Sequence, residues 1–268
     1  MADVKVRFDV FVKSAKAYEM SNYMLGYSAG AKQRRVTRAR EPKLFRAPSF
    51  MDAGKGTFRQ PRSFADASAK RTIEEAEACY VVEYEGARQD SLWYLDAALK
   101  LALDIAKQCK GVVVDRTADA YFSTAALASL SKGISARDTV AARETTKGGM
   151  FSLATEGMSK YGQQDFVLSA FPLELAEMAR RLVYDNLCTY AMDHAVLAGQ
   201  TFGGGAVRMI FLEDARGRLE VRDVHPEKKE ALAGTENLVA ALRPMWEEQA
   251  ASEAAKKSSA KKKRTARR

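Results

Sequence analysis

The sequence predicts an α+β fold: a mixed or antiparallel sheet with helices packed on one face, followed by a disordered basic C-terminal tail. Three stretches carry this prediction. Residues 4–12 (VKVRFDVFV) alternate strictly enough to read as a half-buried strand. Residues 92–107 space their leucines as a helix does. Residues 151–197 read as a strand, a glycine-punctuated turn, a second strand and a long amphipathic helix. The organisation expected is one domain over 1–250 with a basic insert at 31–72, then a disordered basic tail at 251–268.

In the first strand Val4, Val6, Phe8, Val10 and Val12 share one face, and Lys5, Arg7 and Asp9 the other, with Phe11 out of phase. A short helix over 14–29 is weakened by Gly26 and Gly30. Residues 31–72 lack a sustained period, and Pro42, Pro48 and Pro61 interrupt any regular element. Phe45, Phe50, Phe58 and Phe64 lie among arginines there. Two readings stay open: a mobile arm, or a segment draped on an acidic body. Order resumes near Thr72. Residues 79–84 (CYVVEY) read as a strand. Asp90 or Ser91 caps a helix over Leu92–Lys107, which Gly111 ends. GVVVD (111–115) is a buried strand, completing a unit of βαβ size.

Residues 125–130 suggest a helical turn, and 137–147 a polar loop. Phe151–Thr155 and Phe166–Ala170 pair as strands around a turn where Gly157 and Gly162 supply positive φ. Pro172 opens a helix over 173–197, whose stripe is Leu175, Ala179, Leu182, Val183, Leu187, Tyr190 and Ala191. Gly199–Gly205 is a glycine-rich loop. Val207–Leu212 and Leu219–Val224 form a hairpin around Ala215-Arg216-Gly217. A last helix starts at Thr235 as N-cap, and Pro244 kinks or divides it.

Charge is segregated. Between 31 and 72 twelve Lys/Arg face three acids, and 256–268 hold eight Lys/Arg and no acid. With a net charge of +9, the remainder is therefore acidic. No apolar run approaches the roughly 20 residues of a membrane span, and the N-terminus lacks a signal-type apolar core. Cys79, Cys109 and Cys188 are widely spaced, which argues against a disulfide framework or a zinc site and for a reducing cytoplasm.

The candidate site is the turn GMSKYGQQD, which offers Ser159, Lys160, Tyr161, Gln163, Gln164 and Asp165 on one exposed connection. The competing reading is a hairpin turn that needs its glycines only for geometry. The tail, with Lys261, Lys262, Lys263 and Arg264, attracts polyanions without sequence selectivity; a charge-balancing tail is the alternative. Asp115, Arg116 and Asp119 end a strand where α/β enzymes place acids, but the preferred reading is an ordinary solvated loop. GQTFGGGAV (199–207) has a helix before it and a strand after it, the reverse of a phosphate loop. His194 and His225 are isolated, and the cysteines have no local base. Neither a catalytic set, nor a cofactor, nor a metal site is expected.

The order of elements over about 75–212, with Gly157, Met158, Gly162 and Asp165 in one turn, resembles a bacterial domain-of-unknown-function family. That family carries a turn of Gly, Met or Leu, three residues, Gly, two residues and an acid. The resemblance implies architecture and no activity, and the basic insert and tail depart from it. The functional expectation is a non-enzymatic binding or interaction module of the bacterial cytoplasm with an unidentified protein partner and no membrane contact. The alternatives are a nucleic-acid-associated protein held by its basic insert and tail, and an enzyme whose site is dispersed in sequence.

Overall fold

The computed structural model describes residues 3–12, 35–37, 67–76, 78–87, 92–122, 133–204, 207–225, 227–228 and 230–265. The expected helix over 14–29, the helical turn over 125–130, the capping residues Asp90 and Ser91 and most of the basic insert lie outside them. The fold is α+β, with two sheets. The chain divides into two compact units, 1–142 with 155–165 and 188–195, and 143–154 with 166–187 and 196–268.

In the first unit a five-stranded antiparallel sheet has the order β2-β3-β1-β4-β5, with the two-residue β5 (Ala120–Tyr121) at one edge. Its central strand is β1 (Asp3–Val12), flanked by β3 (Ala78–Ala87) and β4 (Val112–Asp115). The helix α2 (Trp93–Cys109) connects β3 to β4, which run parallel with β1 inserted between them. The expected βαβ-sized unit is thus split by the first strand of the chain. α2 lies on the face of Val4, Val6, Phe8 and Val10, and its Tyr94 stacks on Tyr84 with ring centroids 4.9 Å apart. Phe11, the out-of-phase residue, packs with Cys79, Val81, Val114 and Ile73 on the other face. Ile73 comes from α1 (Ala67–Glu74), so order resumes before Thr72, inside the basic insert. Arg35–Thr37 within the same insert form β2 at the sheet edge.

α2 ends one residue earlier than its glycine suggests. Lys110 takes the left-handed conformation (φ 52°), and Gly111 serves a different need. A Cβ at Gly111 would stand 2.6 Å from the Phe11 carbonyl oxygen. The glycine is there for backbone approach, not for helix termination.

In the second unit a six-stranded mixed sheet has the order β6-β7-β8-β11-β10-β9. Its parallel step joins β8 (Phe166–Pro172) to β11 (Leu219–Asp223). The expected pairs, β7 (Met150–Glu156) with β8 and β10 (Val207–Glu213) with β11, form antiparallel. Residues 137–147 are not a loop. They form a short helix α3 (Ala136–Thr139) and an edge strand β6 (Ala141–Lys147). An edge strand tolerates polar residues on both faces. Gly148 and Gly149, at φ 58° and 75°, make the two-residue turn into β7. Glu144 on β6 takes a bidentate bond from Arg180 at 2.8 and 2.9 Å, and that guanidinium lies over Phe151. Part of the glycine-rich loop is likewise the edge strand β9 (Thr201–Gly204).

The long helix is composite. A 3-10 turn (Leu173–Leu175) precedes α4 (Ala176–Arg181), a π-helical stretch (Leu182–Cys188) and α5 (Thr189–Asp193). Pro172 is the last residue of β8, and the helix stops at Asp193 rather than 197. Leu175, Ala179, Val183, Leu187 and Ala191 recur every four residues and are all buried. In an α-helix a four-residue repeat drifts by about 40° per step. π turns hold more residues, which keeps the stripe in line.

The last helix, α6 (Glu236–Thr265), is not divided at Pro244. Its first free amides, those of Asn237 and Leu238, donate to the Asp223 carboxylate at 2.6 and 2.9 Å. The helix cap therefore comes from β11, where sequence reasoning placed it on Thr235. Leu238 and Leu242 bury against β10 and β11, and the backbone of α6 carries on into the basic tail.

Candidate functional site

The turn that the sequence singles out closes as expected at both glycines, with φ 112° at Gly157 and 68° at Gly162. Between them Met158–Tyr161 make one 3-10 turn. The expected exposure is wrong. Met158, Lys160 and Tyr161 are fully buried and Gln163 nearly so, leaving Ser159 as the exposed side chain of Met158–Tyr161. The turn packs against β1, and its backbone is held from α2, where the Tyr94 hydroxyl donates to the Lys160 carbonyl at 2.7 Å.

A buried ammonium needs partners, because desolvation without them costs several kcal/mol. Lys160 Nζ donates to Asp115 Oδ2 and to the Thr139 carbonyl. Asp115 Oδ1 accepts the amides of Thr117 (2.9 Å) and Ala118 (3.1 Å). Tyr161 donates its hydroxyl to Thr139 Oγ1, which in turn donates to the Ser135 carbonyl at 2.8 Å. Burial pushes the Tyr161 phenol well above its usual range, so it stays a neutral donor. One ion pair thus ties the turn to the ends of β4 and α3. Sequence reasoning named Lys160 and Asp115 separately and missed the pair, since 45 residues separate them.

The remaining turn residues close the loop on itself. Asp165 Oδ1 accepts the Thr155 hydroxyl (3.1 Å) and the Met158 amide (3.0 Å). Burial raises the Asp165 carboxyl, and those two hydrogen bonds act against the rise. Gln163 donates to the His194 carbonyl at 3.0 Å, just past the end of α5. Lys160, Tyr161, Gln163 and Asp165 are therefore internal supports, not a contact surface. A cavity of about 200 Å³ lies beside Asp115, Tyr121, Phe122 and Thr139, below the roughly 300 Å³ at which small-molecule sites begin.

The acids after β4 do not form one group. Asp115 faces Lys160, whereas Arg116 reaches the opposite face and donates to Asp9 Oδ2 at 2.5 Å. Asp9, placed by its alternation among the solvent-facing residues, is fully buried between Arg116 and Arg7 (3.0 Å). The solvated-loop reading is corrected at Asp115, which ends β4 and is 2% exposed, while residues 116–119 do form a turn. His194 stacks near Tyr190 at 4.5 Å, and His225 Nδ1 accepts the amides of Glu227 and Lys228 in a local turn. Cys79 and Cys188 are buried, and burial pushes both thiols up, away from reactive thiolate. Among the described residues no cluster of three or more His, Cys, Asp or Glu could hold a metal ion. Nor is any described helix long and apolar enough to cross a membrane.

Lys261, Lys262, Lys263 and Arg264 fall on the helical backbone of α6. Compared with known proteins, the chain matches no protein-family model, no curated protein and no solved structure.

Proposed function

We propose that the protein associates with nucleic acid through the cationic end of α6, with the body serving as a folded anchor and not as an enzyme. One observation carries the reading: a single helix is fastened at its first turn and ends in a run of cations. The first turn is capped by Asp223 and buried through Leu238 and Leu242. Beyond Trp246 alanine is the largest apolar residue, and eight Lys/Arg follow Ala255 without an acid. Six of these cations, Lys256 to Arg264, fall on the helical backbone over a rise of about 12 Å, one per roughly 2.4 Å against roughly 1.7 Å per charge along duplex DNA. Membrane-surface helices need an apolar face of Trp, Phe or Leu, and residues 256–268 have none. A phosphate backbone is the polyanion that this reading assigns to the run.

The test is a salt titration of duplex DNA binding for the full chain and for a chain ending at Ala255. With eight phosphate contacts the logarithmic salt slope is about −7. Affinity should fall by about a thousandfold or more between about 50 and 200 mM salt. Truncation should remove most of that slope. An unchanged affinity and slope after truncation would refute the assignment.

A further inference from the structure

The second unit carries an open trough of about 490 Å³ between α6 and the end of the β7–β8 ladder. Its floor is apolar, built from Met150, Ala170 and Pro172 on the strands and Val239, Ala240 and Pro244 on the helix. Met150 is 39% exposed. A bulge lies beside the trough. Phe151 pairs with Phe171 and Leu153 with Leu168, so two β8 residues oppose Ser152 alone. Ala170 absorbs the extra residue at φ 55°, a conformation that suits glycine better than alanine. Its amide turns to Ser152 Oγ at 3.2 Å. The bulge thus lies at the strand end that lines the trough.

The rim is charged and one-sided. Glu236 and Glu247 line it, and the one lining cation, Arg243, is already bonded to Glu174 at 3.0 Å. The lining therefore leaves a carboxylate surplus over an apolar floor. Small-molecule sites place a few converging polar groups inside an enclosed pocket. Here the charged groups stand at the rim, and the buried polar residue among the lining is Thr235.

We infer that this trough docks a segment of a partner protein in which an apolar anchor side chain is flanked by Lys or Arg. The anchor seats between Val239, Ala240 and Pro172. The flanking cations meet Glu236 and Glu247, which sets which segments are accepted more than how tightly they bind. This site is independent of the polyanion reading, because it uses the first half of α6 and carboxylates where that reading uses the last and cations.

The experiment is fluorescence anisotropy of the full chain with three synthetic peptides that share a central Leu-Phe and are flanked by Lys, by Gln or by Glu. The Lys-flanked peptide should bind at least about tenfold tighter than the Glu-flanked one, or about 1.4 kcal/mol. The double variant Glu236→Lys/Glu247→Lys should invert that order. Ala240→Arg, at an exposed helical position where Arg is among the better helix formers after Ala, should weaken the Lys-flanked peptide at least about tenfold while leaving duplex DNA binding and far-ultraviolet dichroism unchanged. Equal affinities for the three peptides, no saturable binding, or an order insensitive to the charge reversal would each overturn the inference. Self-association that Ala240→Arg abolishes would also overturn it, assigning the trough to a second copy.

Discussion

Replacing Lys160 by Met tests whether the buried ion pair is the fastening of the first unit. The substitution keeps the length of the side chain and removes the charge. Asp115 would then be left 2% exposed with one oxygen still bonded to the amides of Thr117 and Ala118 and the other without its cation. Breaking a buried pair from one side costs about 3–5 kcal/mol. The Thr139 carbonyl loses the same donor, a further cost of about 1–3 kcal/mol if water cannot reach it. For a domain of about 150–250 residues each kcal/mol lowers Tm by roughly 2–4 °C, so the expected fall is well above 5 °C. The assay is urea unfolding followed by tryptophan fluorescence and dichroism, on Lys160→Met, Asp115→Asn and the double variant. Asp115→Asn keeps an acceptor for the two amides and removes the charge. The double variant should therefore be more stable than Lys160→Met alone, with a coupling of at least about 1 kcal/mol. If Lys160→Met costs less than about 1 kcal/mol, or if the two single effects simply add, the ion pair does not hold the turn. Duplex DNA affinity should be unchanged in folded protein, because the pair is an internal support.

The other expectations follow from individual contacts. Gly157→Ala should destabilise by about 1–3 kcal/mol in urea unfolding, since φ is 112° and the new Cβ would stand 2.9 Å from the Ala118 Cβ. Asp223→Ala removes the acceptor for the first amides of α6 and should cost about 0.5–2 kcal/mol, with helical dichroism lost in proportion. Burial places the Asp223 carboxyl above its usual range, with the two amides acting against that rise. A raised folded pKa means that the folded state binds the proton more tightly, so this residue by itself favours the fold more as pH falls through that range. Asp214 has the opposite sign. Against burial, bonds from the Arg218 side chain and from the amides of Arg218 and Arg216 hold it down to about 2, below the ordinary 3.8. Its contribution should be complete above about pH 4 and vanish as pH falls to about 2. The stability gap between the parent chain and Asp214→Asn, measured from about pH 6 to 2, should narrow over that interval.

Elements whose signal is local and periodic could be read from the residues alone. The strand over 4–12, the helix after Leu92, the strand pair around Gly157 and Gly162, and the hairpin at Arg216 were all legible, because alternation, helical spacing and turn glycines act between near neighbours. Two missed features also left local signs. Gly148-Gly149 mark a hairpin turn, and the four-residue repeat from Leu175 to Ala191 departs from an α-helical period. The rest depended on contacts between residues distant in the chain. Asp9 and Lys160 look solvent-facing by pattern, yet both are buried, because Arg116 and Asp115 neutralise them from elsewhere in the chain, with Arg7 beside Asp9 on the same strand. Thr235 has the composition of a cap, but Asp223 performs the task from an adjacent strand. The turn that reads as an exposed contact surface is instead an internal fastening. A charge reveals its sign in sequence; whether it meets water or a partner depends on residues that only folding brings within reach.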